Sequence, residues 1–182
     1  MVYLFLANGF EEVEALATLD VLRRAEINVL TVGVGSEIIN GSHNIPVIPD
    51  KLCSEIVLND KVDAIILPGG MPGTLNLEKD ETVNSAIDFA IDNEKLICAI
   101  CAAPSILGHK GLLEGKKATC FPGFESELFG AETSDEFVIK DGNIITSKGM
   151  GCAIEFGLKI VEALQGANSA KKLRNTLQIY NG

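Results

Sequence analysis

Short, almost entirely apolar segments recur along this chain and alternate with amphipathic ones. The clearest apolar segments are residues 2–7, 29–34, 62–67 and 96–100. Strands that are hydrophobic on both faces are typical of a parallel sheet covered by helices on each side. Between them lie helical patterns such as residues 11–25, where glutamates come first and arginines last. This alternation predicts a three-layer α/β/α sandwich with a mostly parallel sheet.

The remaining patterns extend this arrangement without a linker or an internal repeat. Asn-Gly and Asp-Gly pairs predict small β-hairpins over residues 38–48 and 137–146. A further strand is predicted over residues 117–121, and helices over residues 51–58, 81–93, 102–108, 153–164 and 170–179. Because 182 residues suit one hydrophobic core, we expect a single domain over residues 1–182 with a flavodoxin-like fold.

Charge and composition exclude several classes of partner. The net charge is −10 and no segment is a basic cluster, so we expect no specific nucleic-acid partner and no membrane partner. No apolar run approaches the roughly 18 residues of a membrane span, and the apolar start lacks the basic flank of a signal peptide. Five cysteines, an odd number, indicate reduced thiols in a cytoplasmic protein rather than a disulfide framework.

Three of the predicted strands are followed by unusual residues. The segments 8–10 and 68–70 follow two of them, and Cys101 follows the third. Parallel strands bring their carboxyl ends to one edge of the sheet, where ligands bind in such folds. A sharp strand-to-helix turn would expose the Cys101 sulfur, and the helix N-terminus would favour its thiolate. The alternative is a buried core thiol, which is common for free cysteine.

Acidic and glycine-rich segments supply further candidate groups at this edge. If Glu11, Glu12 or Glu14 turned inward, burial would raise its pKa and let it transfer protons near neutral pH. The pattern does not identify which of the three turns in, and all of them also complement the helix dipole. The backbone amides of residues 69–70 and of Ala102 would form an oxyanion hole, unless the glycines only make a turn.

The other cysteines and histidines do not predict a second reactive centre. Cys98 forms a C-x-x-C pair with Cys101 but lies within the strand, and no second pair completes a zinc site. Neither His43, in the first hairpin, nor His109, at the far end of the helix after Cys101, is placed as a general base. Residues 149–151 indicate a tight turn rather than a dinucleotide site. We expect no metal ion and no cofactor.

Several longer motifs make the chain similar to a known family. They are NGFEEVEA with LDVLRRAEI, DAIILPGG, AICAAP, and ITSKGMGCAIEFGLKIVEAL. These motifs resemble those of the DJ-one/ThiJ/PfpI superfamily, and the resemblance runs nearly from end to end. Within it, the chain looks most similar to the branch of the parkinsonism-associated protein deglycase and its small bacterial relatives. The resemblance implies the same flavodoxin-like fold.

This resemblance also implies roles for individual residues. Cys101 matches the family's oxidation-sensitive nucleophile, and Glu14 matches the inward acid whose carboxyl group hydrogen-bonds the sulfur. Gly70 and Ala102 match the backbone donors beside that sulfur. The resemblance therefore selects Glu14 from the three glutamates, a choice that the pattern alone leaves open.

Two positions depart from the family pattern. Animal members carry a histidine in a Thr-His-Pro context where this chain has Phe121, and His43 replaces an arginine that approaches the site in some members. Without that histidine, proton transfer would fall to Glu14, and a peptidase triad is not expected. Phe121 and Gly69 are expected to line the pocket.

Three functions remain open. The first is a glutathione-independent glyoxalase or a protein and nucleotide deglycase, in which Cys101 attacks methylglyoxal or its adduct to give a hemithioacetal. The second is a redox sensor or an oxidation-gated chaperone that works through a Cys101 sulfinate. The third is a small-molecule binding module with an incidental cysteine. The implied partners are a reactive carbonyl compound or a glycated protein, and a second copy of the chain, because Asp20 and Arg24 match residues near the family's dimer contact.

Overall fold

A seven-stranded sheet forms the centre of the protein. The computed structural model describes residues 1–179. Its strands are β1 (Val2–Leu6), β2 (Val29–Gly33), β3 (Ile39–Asn40), β4 (Pro46–Val47), β5 (Lys51–Leu52), β6 (Ala64–Leu67), β7 (Leu96–Ile100), β8 (Lys117–Ala118), β9 (Glu132–Thr133), β10 (Val138–Asp141) and β11 (Ile144–Ser147). The order in the large sheet is β10-β11-β7-β6-β1-β2-β5, and all neighbours are parallel except β10 and β11.

Helices cover both faces of this sheet. They are α1 (Glu12–Arg24), α2 (Gly73–Lys79), α3 (Glu81–Asp92), α4 (Pro104–His109), α5 (Ala153–Gln165) and α6 (Ala167–Thr176). In β1, Val2, Leu4 and Leu6 pack with α1, α5 and α6, whereas Tyr3 and Phe5 pack with α2, α3 and α4 on the opposite face. The predicted three-layer, flavodoxin-like sandwich with a mostly parallel sheet is therefore confirmed.

Some predicted elements differ from the structure in the loops between the central strands. Residues 51–58 form β5 and a 3₁₀ turn rather than a helix, because the start of this segment pairs with β2 at the edge of the sheet. Helix α2 was not predicted, since it has only seven residues and begins with glycine, a poor helix former. The strand predicted over 117–121 ends at Ala118, where it pairs with the unpredicted β9.

The helix after Cys101 also differs from the prediction. It begins at Pro104 rather than at residue 102, because proline is well suited to a first helical position and residues 101–103 form a turn. The last helix covers Ala167–Thr176 rather than 170–179. No helix within residues 1–179 combines the length and the apolar character needed to cross a membrane.

Local contacts fix the start of α1 beside the carboxyl ends of β1, β6 and β7. The Glu11 carboxylate caps the helix by accepting a hydrogen bond from the Glu14 amide at 2.6 Å. The predicted hairpin of β3 and β4 is tied to the preceding loop, because the Asn40 amide donates to the Asn8 side chain at 2.8 Å. This arrangement directs two glutamates of α1 into the protein, one toward the hairpin and one toward Cys101.

Candidate active site

Cys101 occupies a strained turn at the end of β7. Its φ is +65°, a left-handed conformation that costs a residue other than glycine about 1–3 kcal/mol. Two hydrogen bonds hold it there: its amide donates to the Ser147 carbonyl at 2.8 Å, and its carbonyl accepts from the Phe121 amide at 2.8 Å. The turn resembles a nucleophile elbow in presenting a side chain at the sheet edge, and Cys101 is partly exposed.

Gly69 lets β6, β7 and α1 converge on this point. A β-carbon at position 69 would stand 2.6 Å from the Cys101 β-carbon and 2.8 Å from the Glu14 Oε2 atom. Instead, the Gly69 amide donates a hydrogen bond to that oxygen at 2.9 Å. Glycine is therefore required here by close approach, and the structure brings Gly69, Cys101 and Glu14 together as expected from the sequence.

Glu14 is a buried acid with an incomplete set of hydrogen bonds. The residue is 1 % exposed, and its Oε1 atom has no hydrogen-bond partner of regular geometry within residues 1–179. Burial raises the pKa of Glu14 to about 7 against the lowering effects of the Cys101 thiol and the Gly69 amide, and the charge of Glu11 raises it further. Near neutral pH this carboxyl group is thus poised to accept or donate a proton.

The Cys101 thiol responds to the same surroundings. Burial, followed by the ionised Glu14 carboxylate, raises the pKa of Cys101 to about 12, whereas the amides of Ala102 and Gly70 act in the opposite direction. The short α4 begins only at Pro104, so it does not start directly after Cys101 as predicted. Protonation of Glu14 removes the repelling charge, and the two groups therefore titrate as a pair.

A turn that the sequence analysis left without a function completes the site. A β-carbon at Gly149 would stand 3.2 Å from the Phe121 ring and 3.7 Å from Glu14 Oε1, and the Met150 amide helps to lower the pKa of Glu14. These residues form the expected tight turn after β11. In the structure β11 runs parallel to β7 and therefore ends at the same edge of the sheet, but the predicted hairpin did not specify this pairing.

The two positions that depart from the family pattern lie in different surroundings. Phe121 is half-exposed and its ring lies beside Gly149 at the rim of the site. His43 instead contacts Glu12: its Nδ1 atom lies 2.9 Å from Glu12 Oε2, and its amide donates to Glu12 Oε1 at 2.7 Å. His43, Glu12 and Glu11 have ligand atoms within 4.8 Å of one another, but the Glu12 oxygens are already occupied by the hairpin.

His109 and Cys98 have surroundings that differ from those of Cys101 and Glu14. The His109 ring contacts Glu78 at 2.5 Å and Glu127 at 3.0 Å, so it links α2 and α4 to the segment after Phe121. Cys98 is fully buried within β7, and burial raises its pKa well above the ordinary value. The hydrogen bonds of the His109 ring therefore go to two glutamates outside α1, and not to Glu14.

A cavity elsewhere in the protein does not carry comparable chemistry. It measures about 300 Å³ and is lined by residues near the ends of α1 and α5 and along α6, including Arg24, Gln165 and Leu173. Among the described residues that line it there is no cysteine, histidine or buried carboxyl group. The convergence of Cys101 and Glu14 is therefore the better guide to function.

Comparisons with known proteins identify the family of this chain. Residues 1–163 match the DJ-1/PfpI family. The chain belongs to the DJ-1/PfpI family. It is 37% identical to protein dj-1beta of Drosophila melanogaster over 180 residues, which cover 97% of this chain and 96% of the relative. The recognition of this superfamily from sequence motifs is thereby confirmed.

Two further DJ-1/PfpI proteins bear on function. Glutathione-independent glyoxalase DJR-1.2 of Caenorhabditis elegans is 34% identical over 169 residues, covering 92% of this chain and 89% of the relative. The crystal structure of oxidized DJ-1 from Toxoplasma gondii superposes with a TM-score of 0.91 at 36% identity, covering 97% of this chain and 96% of that one. One relative thus has a named activity, and another has been observed in an oxidized form.

Proposed function

We propose that this DJ-1/PfpI protein is a glutathione-independent glyoxalase that converts small 2-oxoaldehydes such as methylglyoxal to 2-hydroxy acids. The observation that carries the proposal is the pairing of the Cys101 thiol with a buried Glu14 whose pKa is about 7 and whose Oε1 atom has no regular partner in residues 1–179. The glyoxalase name of the nematode relative supports it. No cofactor takes part in the proposed reaction.

The proposed reaction begins with addition of sulfur to the aldehyde. Glu14 takes the proton from the Cys101 thiol, and the sulfur forms a bond to the aldehyde carbon. The resulting oxyanion lies near the amides of Gly70 and Ala102, which also act on the charge of the sulfur. Return of the proton from Glu14 to this oxygen gives the hemithioacetal.

Glu14 then moves a second proton. Its carboxylate removes the hydrogen from the former aldehyde carbon, the electrons form an enediol, and the proton is returned to the neighbouring carbon to give a thioester. Water hydrolyses the thioester, which releases the 2-hydroxy acid and restores the thiol. The sum is one aldehyde and one water converted to one hydroxy acid, so no external oxidant or reductant is needed. The corresponding deglycase substrates are the early methylglyoxal adducts, which are hemithioacetals on protein thiols and hemiaminals on amino groups of proteins or nucleotides.

An oxidation sensor is the second candidate. Partial exposure of Cys101 and the amides of Ala102 and Gly70 beside it would accommodate a sulfinate, and the oxidized Toxoplasma structure favours this alternative. Such oxidation would also be the trigger of an oxidation-gated chaperone. A binding module with an incidental cysteine predicts neither turnover nor selective oxidation.

The cellular setting and the assembly belong to the same proposal. We propose a cytoplasmic protein that forms a homodimer through a surface near Asp20 and Arg24, where an exposed ion pair of 2.6 Å joins the two side chains. The other proposed partner is the reactive carbonyl compound or a glycated protein. A metal ion, a specific nucleic acid and a membrane are not among the proposed partners. Analytical ultracentrifugation of the wild type and of Arg24→Glu tests the dimer.

Lactate formation from methylglyoxal without glutathione separates the candidate functions. The wild type is expected to turn over, whereas Cys101→Ser and Glu14→Gln are expected to be inactive. An inert wild type at high enzyme concentration would overturn the glyoxalase. Mass spectrometry after mild peroxide treatment then separates the sensor, in which Cys101 becomes a sulfinate selectively, from the binding module.

A further inference from the structure

Two separate contacts hold Glu11 beside the Glu14 carboxyl group. The Glu11 carboxylate accepts a hydrogen bond from the Glu14 amide at 2.6 Å, and the Glu11 amide donates to the Gly69 carbonyl at 2.9 Å. The amide of the same glycine donates to Glu14 Oε2 at 2.9 Å. Because Gly69 contacts both glutamates, the position of the Glu14 carboxyl group beside Cys101 depends on Glu11.

The helix cap alone does not require a glutamate at position 11. Serine, threonine, aspartate and asparagine are the residues that usually begin a helix in this way. Helix α3 follows this rule, since the Asp80 side chain accepts from the Thr82 and Val83 amides at 2.9 and 3.0 Å. Glu11 is only partly buried, and a carboxylate that stays in contact with water keeps its charge at neutral pH. The negative charge of Glu11 is therefore not explained by the cap alone.

The groups that act on Glu14 come from each element around it. Burial, the largest effect, raises the pKa of Glu14 to about 7, whereas the Cys101 thiol after β7 and the amides of Gly69 after β6 and Met150 after β11 lower it. Glu11 is the charged side chain that adds to the effect of burial. A like charge near a carboxyl group favours its protonated form, because two neighbouring anions repel each other.

Glu11 also lies close to the titrating group of the hairpin. One side-chain oxygen of Glu11, one of Glu12 and a ring nitrogen of His43 lie within 4.8 Å of one another. Contact with Glu12 raises the pKa of His43, and the charge of Glu11 adds to this effect. Glu11 thus adjoins both the hairpin and Glu14, and the His43 ring can report on its charge independently.

We propose that Glu11 is a positioning residue of this site, which holds the Glu14 carboxyl group at the Cys101 sulfur and favours its protonated form through its own negative charge. Glu11 does not touch the substrate in the proposed reaction. It acts through Glu14, which must accept a proton and then return it, and such a group works best when both of its forms are populated at the working pH. The catalytic part of the inference rests on the proposed function, whereas the effect on Glu14 does not.

The first test titrates the Glu14 side-chain carboxyl carbon by ¹³C NMR in the wild type and in three variants at position 11. Glu11→Gln and Glu11→Ser remove the charge but keep an oxygen for the cap, and serine is a strong cap in its own right. We expect both to lower the Glu14 midpoint by about one pH unit, whereas Glu11→Asp, which keeps the charge and the cap, should stay near the wild type. Asp80→Asn removes the charge of the α3 cap on the other face of the sheet and is the matched control, which should leave the midpoint unchanged.

The His43 ring gives an internal check in the same samples. Its midpoint, followed by ¹H NMR, should also fall in Glu11→Gln and Glu11→Ser, because the charge of Glu11 contributes to the raised pKa of His43. Glu14 midpoints in these two variants that equal the wild-type value, or an equal fall in Glu11→Asp, would overturn the inference.

A second readout connects Glu11 to catalysis. The acid limb of a plot of kcat/KM for methylglyoxal against pH reports the essential base of the free enzyme. This limb should move to lower pH by about one pH unit in Glu11→Ser and stay in place in Asp80→Asn. A wild type without turnover would refute the glyoxalase, while the NMR midpoints would still decide the role of Glu11. Turnover with an unmoved acid limb and an unmoved Glu14 midpoint in Glu11→Ser would overturn the inference and leave the glyoxalase intact.

Discussion

Glu12 and Glu14 lie two residues apart on the same helix and both have little solvent exposure, yet their surroundings shift their pKa values in opposite directions. Burial raises the pKa of each, but at Glu12 the hydrogen bonds from His43 and the hairpin backbone outweigh it and lower the pKa to about 2. At Glu14 burial prevails and the pKa is about 7. The hydrogen bonds donated to Glu12 and the deeper burial of Glu14 together separate a structural anion from a candidate proton carrier.

The largest expected difference between the two glutamates is the effect of their substitution on glyoxalase activity. Glu14→Gln keeps the shape of the side chain but cannot transfer a proton, so glyoxalase activity should fall by about 10²–10⁴-fold. Glu12→Gln is the matched control, since it removes a charge from the same turn of α1 without touching the sulfur, and it should retain most of the activity. Lactate assays on both variants at pH 7 measure the contrast, and equal losses would contradict it.

Replacement of Glu14 by glutamine is expected to raise the stability of the fold at high pH, although it lowers activity. The pKa of Glu14 is raised from 4.5 to about 7 in the folded protein. The protonated carboxyl group therefore gives its full contribution to stability below pH 4.5, and this contribution is lost as the pH rises through 7. Glu14→Gln should therefore match the wild type at pH 4 and exceed its free energy of unfolding by about 3 kcal/mol at pH 8. Urea denaturation at both pH values measures this, and a variant that is less stable at pH 8 would contradict the buried-acid account.

Glu12 should show the reverse pH dependence. Its lowered pKa gives a stabilisation that is fully present above pH 4.5 and is lost as the pH falls toward 2. Glu12→Gln weakens the hydrogen bonds from the His43 and Ser42 groups, so we expect a loss of about 2 kcal/mol at neutral pH. Denaturation curves should converge as the pH approaches 2, whereas a pH-independent loss would indicate a packing defect instead of a lost anion.

His43 should make the smallest contribution, because its side chain is 73% exposed. Contact with Glu12 raises the pKa of His43 above its usual 6.5. Its charge therefore stabilises the fold below pH 6.5, and this contribution is lost as the pH rises through the folded-state pKa. The thermal midpoint of His43→Gln should lie slightly below that of the wild type at pH 6 and coincide with it at pH 9. An equal deficit at both pH values would argue against the ion pair.

The fold was predictable from sequence because its signals are local and repeated. Continuous apolar runs such as 96–100 coincide with the buried strands, and the Asp-Gly pair correctly placed the hairpin of β10 and β11. The 51–58 segment was misassigned because it lacks such periodicity and its conformation depends on pairing with β2. Helix α2 was missed because it depends on tertiary packing that seven residues beginning with glycine do not reveal.

The candidate site was less predictable, because its chemistry depends on which way side chains turn. Sequence pattern brought Gly69, Cys101 and the glutamates of α1 to one edge, but it could not separate Glu12 from Glu14 without the resemblance to a family. The proximity of Gly149 to Glu14 depends on the pairing of β11 with β7, which a hairpin pattern alone does not specify. The burial that keeps the Cys101 thiol protonated is likewise a tertiary property.

The most direct test of the central claim is a pH titration of the glutamate side-chain carboxyl carbons by ¹³C NMR. Glu14→Gln and Glu12→Gln spectra assign the two signals. The account predicts a midpoint near 7 for Glu14 and near 2 for Glu12 in the same protein. A Glu14 midpoint near 4.5 would contradict the account, because the carboxyl group would then be an ordinary anion at neutral pH, without a proton to share with Cys101.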